Sequence, residues 1–198
     1  MNALQELQRY FLEVAYLKDP VNDPDYIVAT QINKEPAAQV LGWLYQIWVE
    51  KYAGIKVDAI LPVPDAAKKF AKTFQQASGI PRILSTRKLQ EGESIPQDAV
   101  CYQTESFTHG KKPAVSIIEG LTENMSVAIL DDVVDDASTF LALMEALRNS
   151  GMKIQVNLMT VIFSKHHNKG GEKVEASGVP FFSAIPVVIQ SGVMHLVA

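Results

Sequence analysis

Apolar residues recur along this chain with two different spacings. One is helical. Leu4, Leu7, Tyr10, Phe11 and Val14 share a face, which predicts an amphipathic helix over residues 3–17. Asp19-Pro20 and Asp23-Pro24 break it. The spacing of Val40, Leu41, Leu44, Ile47 and Trp48 predicts a second helix from about Glu35 to Tyr52, after a turn at Asn33. Trp43 and Trp48 at this spacing read as core packing more readily than as a stacking platform for a ligand. Ala67, Phe70, Ala71 and Phe74 mark an inward face over residues 65–79, with Lys68, Lys69 and Lys72 outward. Phe140, Leu143, Met144 and Leu147 mark another helix, stopped by Gly151. A short helix ends near Gly178.

The other pattern is a short apolar run bounded by turn residues, the signature of a strand. Tyr26–Ile32, Val57–Val63, Pro81–Ser85, Val127–Leu130, Lys153–Phe163 and Pro180–Val187 all qualify, and Ser191-Gly192 joins two further apolar runs as a hairpin. Strands separated by a helix imply right-handed βαβ units and a parallel sheet. The chain therefore reads as α/β, with a mainly parallel central sheet of about five strands flanked by helices. Residues 89–112 interrupt this rhythm. They are polar and rich in turn formers around a strand candidate, Ala99 to Phe107. The alternation of Val100, Tyr102, Thr104 and Ser106 favours an ordered ribbon, with Val115–Ile118 as its return strand.

Candidate chemistry concentrates in Ser126–Gly151. An apolar run leads into Asp131 and Asp132, two valines, Asp135 and Asp136, then Ala137, Ser138 and Thr139 at the start of a helix. This is strand, acidic loop, helix. Ligands of parallel sheets bind at the carboxyl ends of strands, where a helix N-terminus suits a phosphate. Asp-rich turns also arise simply because Asp caps helices and favours their positive ends.

Length, charge and cysteine content narrow the classes. With 198 residues, the chain suits one domain, 1–198. Hydrophobic residues are 47% and charged residues 20%, enough for a core and too apolar for disorder. A net charge of −4 argues against a surface that coats nucleic acid. The single Cys101 excludes an internal disulfide framework, and it reads as a buried small hydrophobe rather than a nucleophile. No long apolar run opens the chain, so a cytoplasmic protein with no membrane partner is expected.

The stretch SVAILDDVVDDASTF resembles the ribose-phosphate motif of type I phosphoribosyltransferases, and the order of elements around it extends the resemblance over most of the chain. It is nearest to the xanthine/adenine (purine) group. The resemblance implies the type I phosphoribosyltransferase fold with an N-terminal hood, residues 1–35, and an antiparallel flap, residues 88–118. VCYQTESFTHGKK resembles the flap of xanthine enzymes and purine-repressor relatives.

In that family the acid pair, here Asp131 and Asp132, binds the ribose hydroxyls of phosphoribosyl pyrophosphate (PRPP), with Mg2+ nearby. Asp135 matches an acid near the base N7 and is the implied catalytic residue. Asp136, Ala137, Ser138 and Thr139 match the 5′-phosphate loop. Asp136 stands where Thr or Ser is usual and Ala137 where Gly is usual, so weakened PRPP binding is expected. Pro64, Asp65, Ala66 and Ala67 match the pyrophosphate loop, without its usual glycine and with prolines that remove backbone donors. Lys68 and Lys69 lie just beyond, as suppliers of charge or as solvated helix residues. Arg87 and Lys88 match a basic pair that reaches pyrophosphate across a dimer, which implies a homodimer.

Ala29 falls near the position of a base-binding Asn in xanthine enzymes, and Ser164 near that of a Lys. Lys165 and His166-His167 follow in a polar loop, SKHHNKGG, as contacts to a base or phosphate or as solvated residues. The implied activity is transfer of ribose 5-phosphate from PRPP to a purine base. The alternatives are a PRPP- or nucleotide-binding regulator of the same fold that has lost turnover, and an unrelated Rossmann-like binding protein.

Overall fold

The computed structural model describes residues 1–19, 23–106 and 112–197. The elements run α1 (Ala3–Val14), β1 (Tyr16–Asp19), β2 (Asp23–Val28), a π-helical turn (Thr30–Lys34), α2 (Ala38–Tyr52), β3 (Ala59–Pro62), α3 (Lys68–Ser78), β4 (Arg82–Ile83) and β5 (Ser85–Lys88). Then come β6 (Val100–Ser106), β7 (Lys112–Glu119), β8 (Ser126–Val134), α4 (Ser138–Asn149), β9 (Gln155–Lys165), α5 (Gly170–Ala176), β10 (Phe181–Gln190) and β11 (Val193–Leu196).

The central sheet has six strands in the order β11-β10-β9-β8-β3-β4. All neighbours are parallel except the β10–β11 hairpin. The two runs expected in one sheet, Val57–Val63 and Val127–Leu130, are adjacent, with Ala59 opposite Val127 and Pro62 opposite Leu130. Val127 through Leu130 are all fully buried. Side chains alternate between faces, so both faces of β8 must be covered, as a parallel sheet requires. The helical stripes supply the cover. Trp48 of α2 meets Phe74 of α3 with ring centroids 5.0 Å apart, and its indole N–H donates to Thr160 Oγ1 at 3.3 Å.

Several expectations shift by a few residues, each for a visible reason. The first helix opens with a capping box between Asn2 and Gln5 and closes at Ala15, before residue 17. Tyr16 and Leu17 leave it to pair with Val28 and Ile27. The β2 strand starts at Asp23 and ends at Val28, because the chain then winds into the π-turn closed by Glu35 N–H to Thr30 C=O at 2.7 Å. α3 begins at Lys68; residues 64–67 form a turn. The run Pro81–Ser85 divides at Leu84. β4 stays in the central sheet, while β5 joins a separate antiparallel sheet of order β5-β7-β6. Cys101, expected inside, is exposed on β6. Alternation decides this: its neighbours Val100 and Tyr102 take the covered face. Phe107–Lys111, at the predicted flap tip, and Pro20 lie outside the described residues.

Candidate active site at the carboxyl ends of the strands

β8 carries Asp131 and Asp132 past the end of β3, into a cleft of about 470 Å³. Asp131 is only 6% exposed. Burial, and then the charge of Asp132 beside it, push its carboxyl well above the usual carboxylate range. The backbone N–H of Asp132 donates to Asp131 Oδ1 at 2.8 Å and offsets part of that cost. A buried carboxylate held next to a second one is poised for a partner that brings donors or a cation.

The next turn holds its acids differently. Asp135 is gripped on both oxygens. Lys165 Nζ donates to Oδ2 at 2.8 Å, and Asn168 Nδ2 donates to Oδ1. Asp136 turns back into the loop, where its Oδ1 accepts the Ser138 N–H at 2.9 Å, and its carbonyl accepts from Lys173 Nζ at 3.0 Å. Burial would raise the Asp136 carboxyl. The backbone and hydroxyl of Ser138 and the Lys173 charge outweigh this and hold it below its usual range. Ala137 is buried at φ 64°, ψ 16°, in the left-handed region. An Ala there is strained relative to Gly by roughly 1 kcal/mol. Ser138 is exposed and Thr139 half-buried, and both line the cleft.

Across the cleft lies the turn after β3. Its Val63 N–H donates to Leu130 C=O at 2.8 Å, fixing the turn against β8. Pro64, Asp65 and Ala66 line the cleft; Ala67 is fully buried and does not. Lys69 and Lys88 reach the cleft, and Lys88 Nζ sits 3.9 Å from Asp65. Lys68 and Arg87 do not line it. Arg87 is held by Glu93 through both guanidinium nitrogens, Nη1 to Oε2 at 2.7 Å. Tyr26, Ile27, Val28 and Ala29 form an apolar wall.

The end of β9 faces this wall. Ser164 is buried and outside the cleft, whereas Lys165 lines it, because successive strand residues face opposite ways. Of the two histidines, His166 is exposed. His167 is half-buried and accepts the Ile189 N–H at 3.4 Å through Nδ1.

Residues 28–190 match the phosphoribosyl transferase domain family. The chain belongs to this family. Two curated relatives are a hypoxanthine/guanine phosphoribosyltransferase of Methanobacterium lacus, 25% identical over 70% of this chain and 65% of that protein, and a xanthine phosphoribosyltransferase of Laribacter hongkongensis, 22% identical over 75% and 77%. The match to the archaeal relative thus spans slightly under two thirds of its length. Among solved structures, the adenine phosphoribosyltransferase of Thermoanaerobacter pseudethanolicus superposes with TM-score 0.70 at 16% identity, covering 92% of this chain and 99% of that one. The adenine phosphoribosyl transferase of Trypanosoma brucei, solved with AMP, pyrophosphate and ribose-5-phosphate, gives 0.68 at 17% identity, covering 91% and 79%.

As a member of the phosphoribosyltransferase family, the chain also positions its site with residues that pattern reading missed. Gly170 is one. A Cβ on it would lie 2.2 Å from the Asp135 carbonyl and 2.5 Å from Val134 Cγ1, so α5 can pack on the loop after β8 only with glycine there. The adjacent Gly170-Gly171 pair was the available signal. Asn168 and Lys173 carry no sequence signal, since their partners are more than thirty residues away. Among the described residues no three His, Cys, Asp or Glu side chains are grouped to hold a metal. The Asp131–Asp132 pair offers hard oxygen donors, and magnesium characteristically takes one or two carboxylates together with substrate phosphates. The donor set therefore fits Mg2+ bound with a phosphorylated ligand.

Proposed function

We propose that this protein transfers the 5-phosphoribosyl group of PRPP to a ring nitrogen of a purine. The C1′–O bond to pyrophosphate breaks, a C1′–N bond forms, and the base nitrogen gives up its proton. The observation that carries this reading is the acid pair, one carboxyl of it buried, beside a helix N-terminus in a chain of the phosphoribosyl transferase domain family. Asp131 and Asp132 bind the ribose hydroxyls and would hold Mg2+. When bound with PRPP, magnesium supplies charge neutralisation for the departing pyrophosphate. Residues 136–139 receive the 5′-phosphate, residues 64–66 with Lys88 the pyrophosphate, and Asp135 takes or shares the base proton. Catalysis comes from holding these groups in line.

Lys165 sets the class of base. Its side chain is 12% exposed, and its ammonium is held by Asp135 at the cleft wall. An ammonium only donates, so it suits an oxo group and not an amino group. We therefore read the acceptor as a 6-oxopurine. The basic pair on β5 and exposed Leu12, Tyr16, Tyr45 and Leu141 suit a homodimer. The free thiol of Cys101 suits a reducing, cytoplasmic setting. We take residues 1–198 as one unit, with 1–35 as hood and 88–118 as flap. No helix of the described residues is long and apolar enough to cross a membrane.

One observation favours the second reading, a regulator without turnover. The Asp136 carboxylate already occupies the Ser138 N–H that a phosphate would use. Calorimetry with PRPP and magnesium, followed by an assay over hypoxanthine, guanine, xanthine and adenine, separates the readings. We expect PRPP binding and turnover with the oxo bases. Binding with no turnover of any base would favour the regulator, and no binding would overturn both.

A further inference from the structure

β6 presents alternate residues to the cleft. Tyr102 and Thr104 line it, as does Ser116, the cross-strand partner of Tyr102 on β7. Cys101 points the other way and is exposed. Tyr102 is 5% exposed, yet its hydroxyl meets no hydrogen-bond partner among the described residues. Ser116 lies near enough to favour the ionised phenol slightly, but its hydroxyl is not in bonding geometry. Buried hydroxyls are nearly always paired, so an unpaired one on a residue that lines a cleft points to a ligand.

The surroundings say which ligand atom. Burial first, then the charges of Asp131 and Asp65, push the phenol far above its usual range. Tyr102 is therefore a neutral O–H, which donates readily. It lines the same cleft as the acid pair and the turn after β3, within reach of the charges of Asp131 and Asp65. That turn is poor in donors, because Pro62 and Pro64 have no N–H. Ribose hydroxyls are already claimed by acceptors, the two carboxylates. Phosphate oxygens only accept.

We propose that the Tyr102 hydroxyl donates to a pyrophosphate oxygen of PRPP, from the flap side, in place of a backbone donor that the proline-containing turn lacks. This rests on the proposed function and adds a binding residue to its pyrophosphate subsite.

The test compares the full-length protein with Tyr102→Phe and, as a control on the opposite side of the same strand, Cys101→Ser. Each is titrated with PRPP, with pyrophosphate and with ribose 5-phosphate, all with magnesium, and melted without ligand. Tyr102→Phe should weaken PRPP and pyrophosphate tenfold or more, leave ribose 5-phosphate unchanged, and leave the melting temperature unchanged or higher. Cys101→Ser should change nothing. Unchanged pyrophosphate affinity in Tyr102→Phe would overturn the proposal. So would an equal loss for all three ligands with a lowered melting temperature, the mark of a purely structural hydroxyl. If the unaltered protein binds ribose 5-phosphate but neither PRPP nor pyrophosphate, the proposed pyrophosphate subsite is overturned. If it binds none of the three, the proposed function itself fails.

Discussion

Asp136 and Ala137 set the loop after β8 at the scale of single residues. The Asp136 carboxylate, one residue before the N-cap Ala137, accepts the first N–H of α4 and sits where an anion would be received. Ala137 holds a left-handed conformation that glycine adopts without strain. Ala137→Gly should therefore raise stability by roughly 1 kcal/mol, read as a higher denaturant midpoint at constant slope. The double change Asp136→Thr with Ala137→Gly should tighten PRPP binding tenfold or more, about 1.4 kcal/mol, by titration at fixed magnesium. Equal affinities would show that the carboxylate yields freely to the phosphate.

The pH dependence follows from the direction of the Asp136 shift. Its carboxyl lies below the usual range in the folded protein, so the unfolded chain takes up its proton first as pH falls. The stability it contributes is present above the ordinary Asp range and is lost as pH drops through and below it. The gap in stability between the unaltered protein and Asp136→Ala, roughly 1 kcal/mol at neutral pH, should close on acidification. Asp131 has the opposite sign, raised by burial and by Asp132. Its charge costs stability as pH rises. Asp131→Asn should thus raise the melting temperature of the ligand-free protein at neutral pH while removing PRPP binding, a trade expected of a functional site.

At the scale of elements, one-residue offsets and close approaches place the chemistry. β9 ends with Ser164 in the core and Lys165 in the cleft, and only the strand's register decides which. α5 follows so closely on the loop after β8 that Gly170 has no room for a methyl group. The nearest atom in the way is the Asp135 backbone carbonyl, which cannot rotate aside. Gly170→Ala should destabilise by on the order of 1–3 kcal/mol and lower turnover more than it alters the affinity for PRPP, since Asp135 is displaced first. Steady-state kinetics with separate Michaelis constants for base and PRPP would check this. Leu84 is the corresponding hinge between sheets. It donates to Ile60 C=O at 2.9 Å, and the chain then leaves for β5, with Thr86 Oγ1 donating to Pro62 C=O at 2.7 Å. Those two bonds tie the antiparallel sheet to β3.

At the scale of the molecule, the cleft exists because two sheets and the N-terminal segment meet over the carboxyl ends of β3, β8 and β9. The central sheet is held by the α2–α3 layer, where the Trp48 and Tyr52 rings pack on Phe74, one tilted and one edge-on. Phe74→Ala should cost about 3–5 kcal/mol, visible in denaturant unfolding, with no change in base preference because the stack lies away from the cleft. Assembly is tested at this scale too. We expect a dimer by light scattering at micromolar concentration. A monomer that binds PRPP with full affinity would show that Arg87, held here by Glu93, completes no neighbouring site.

What the sequence determined by itself was the parallel core and the identity of the acid loop. Both depend on short-range information: apolar runs such as Val127–Leu130, helical stripes such as Phe70 and Phe74, and an ordered string of acids and hydroxyls from Asp131 to Thr139. Such signals lie within a few residues of one another, so a single chain displays them. Tertiary structure alone decided the rest. The inward turn of Asp136, the grip of Lys165 and Asn168 on Asp135, the closeness of Gly170 to that acid's carbonyl, and the open hydroxyl of Tyr102 all join distant segments or depend on the conformation of a loop. The exposure of Cys101 and the division at Leu84 were likewise settled by which strand paired with which. The physical reason is common to them. Pairing register and loop closure set which face a side chain takes, and a shift of one residue reverses it.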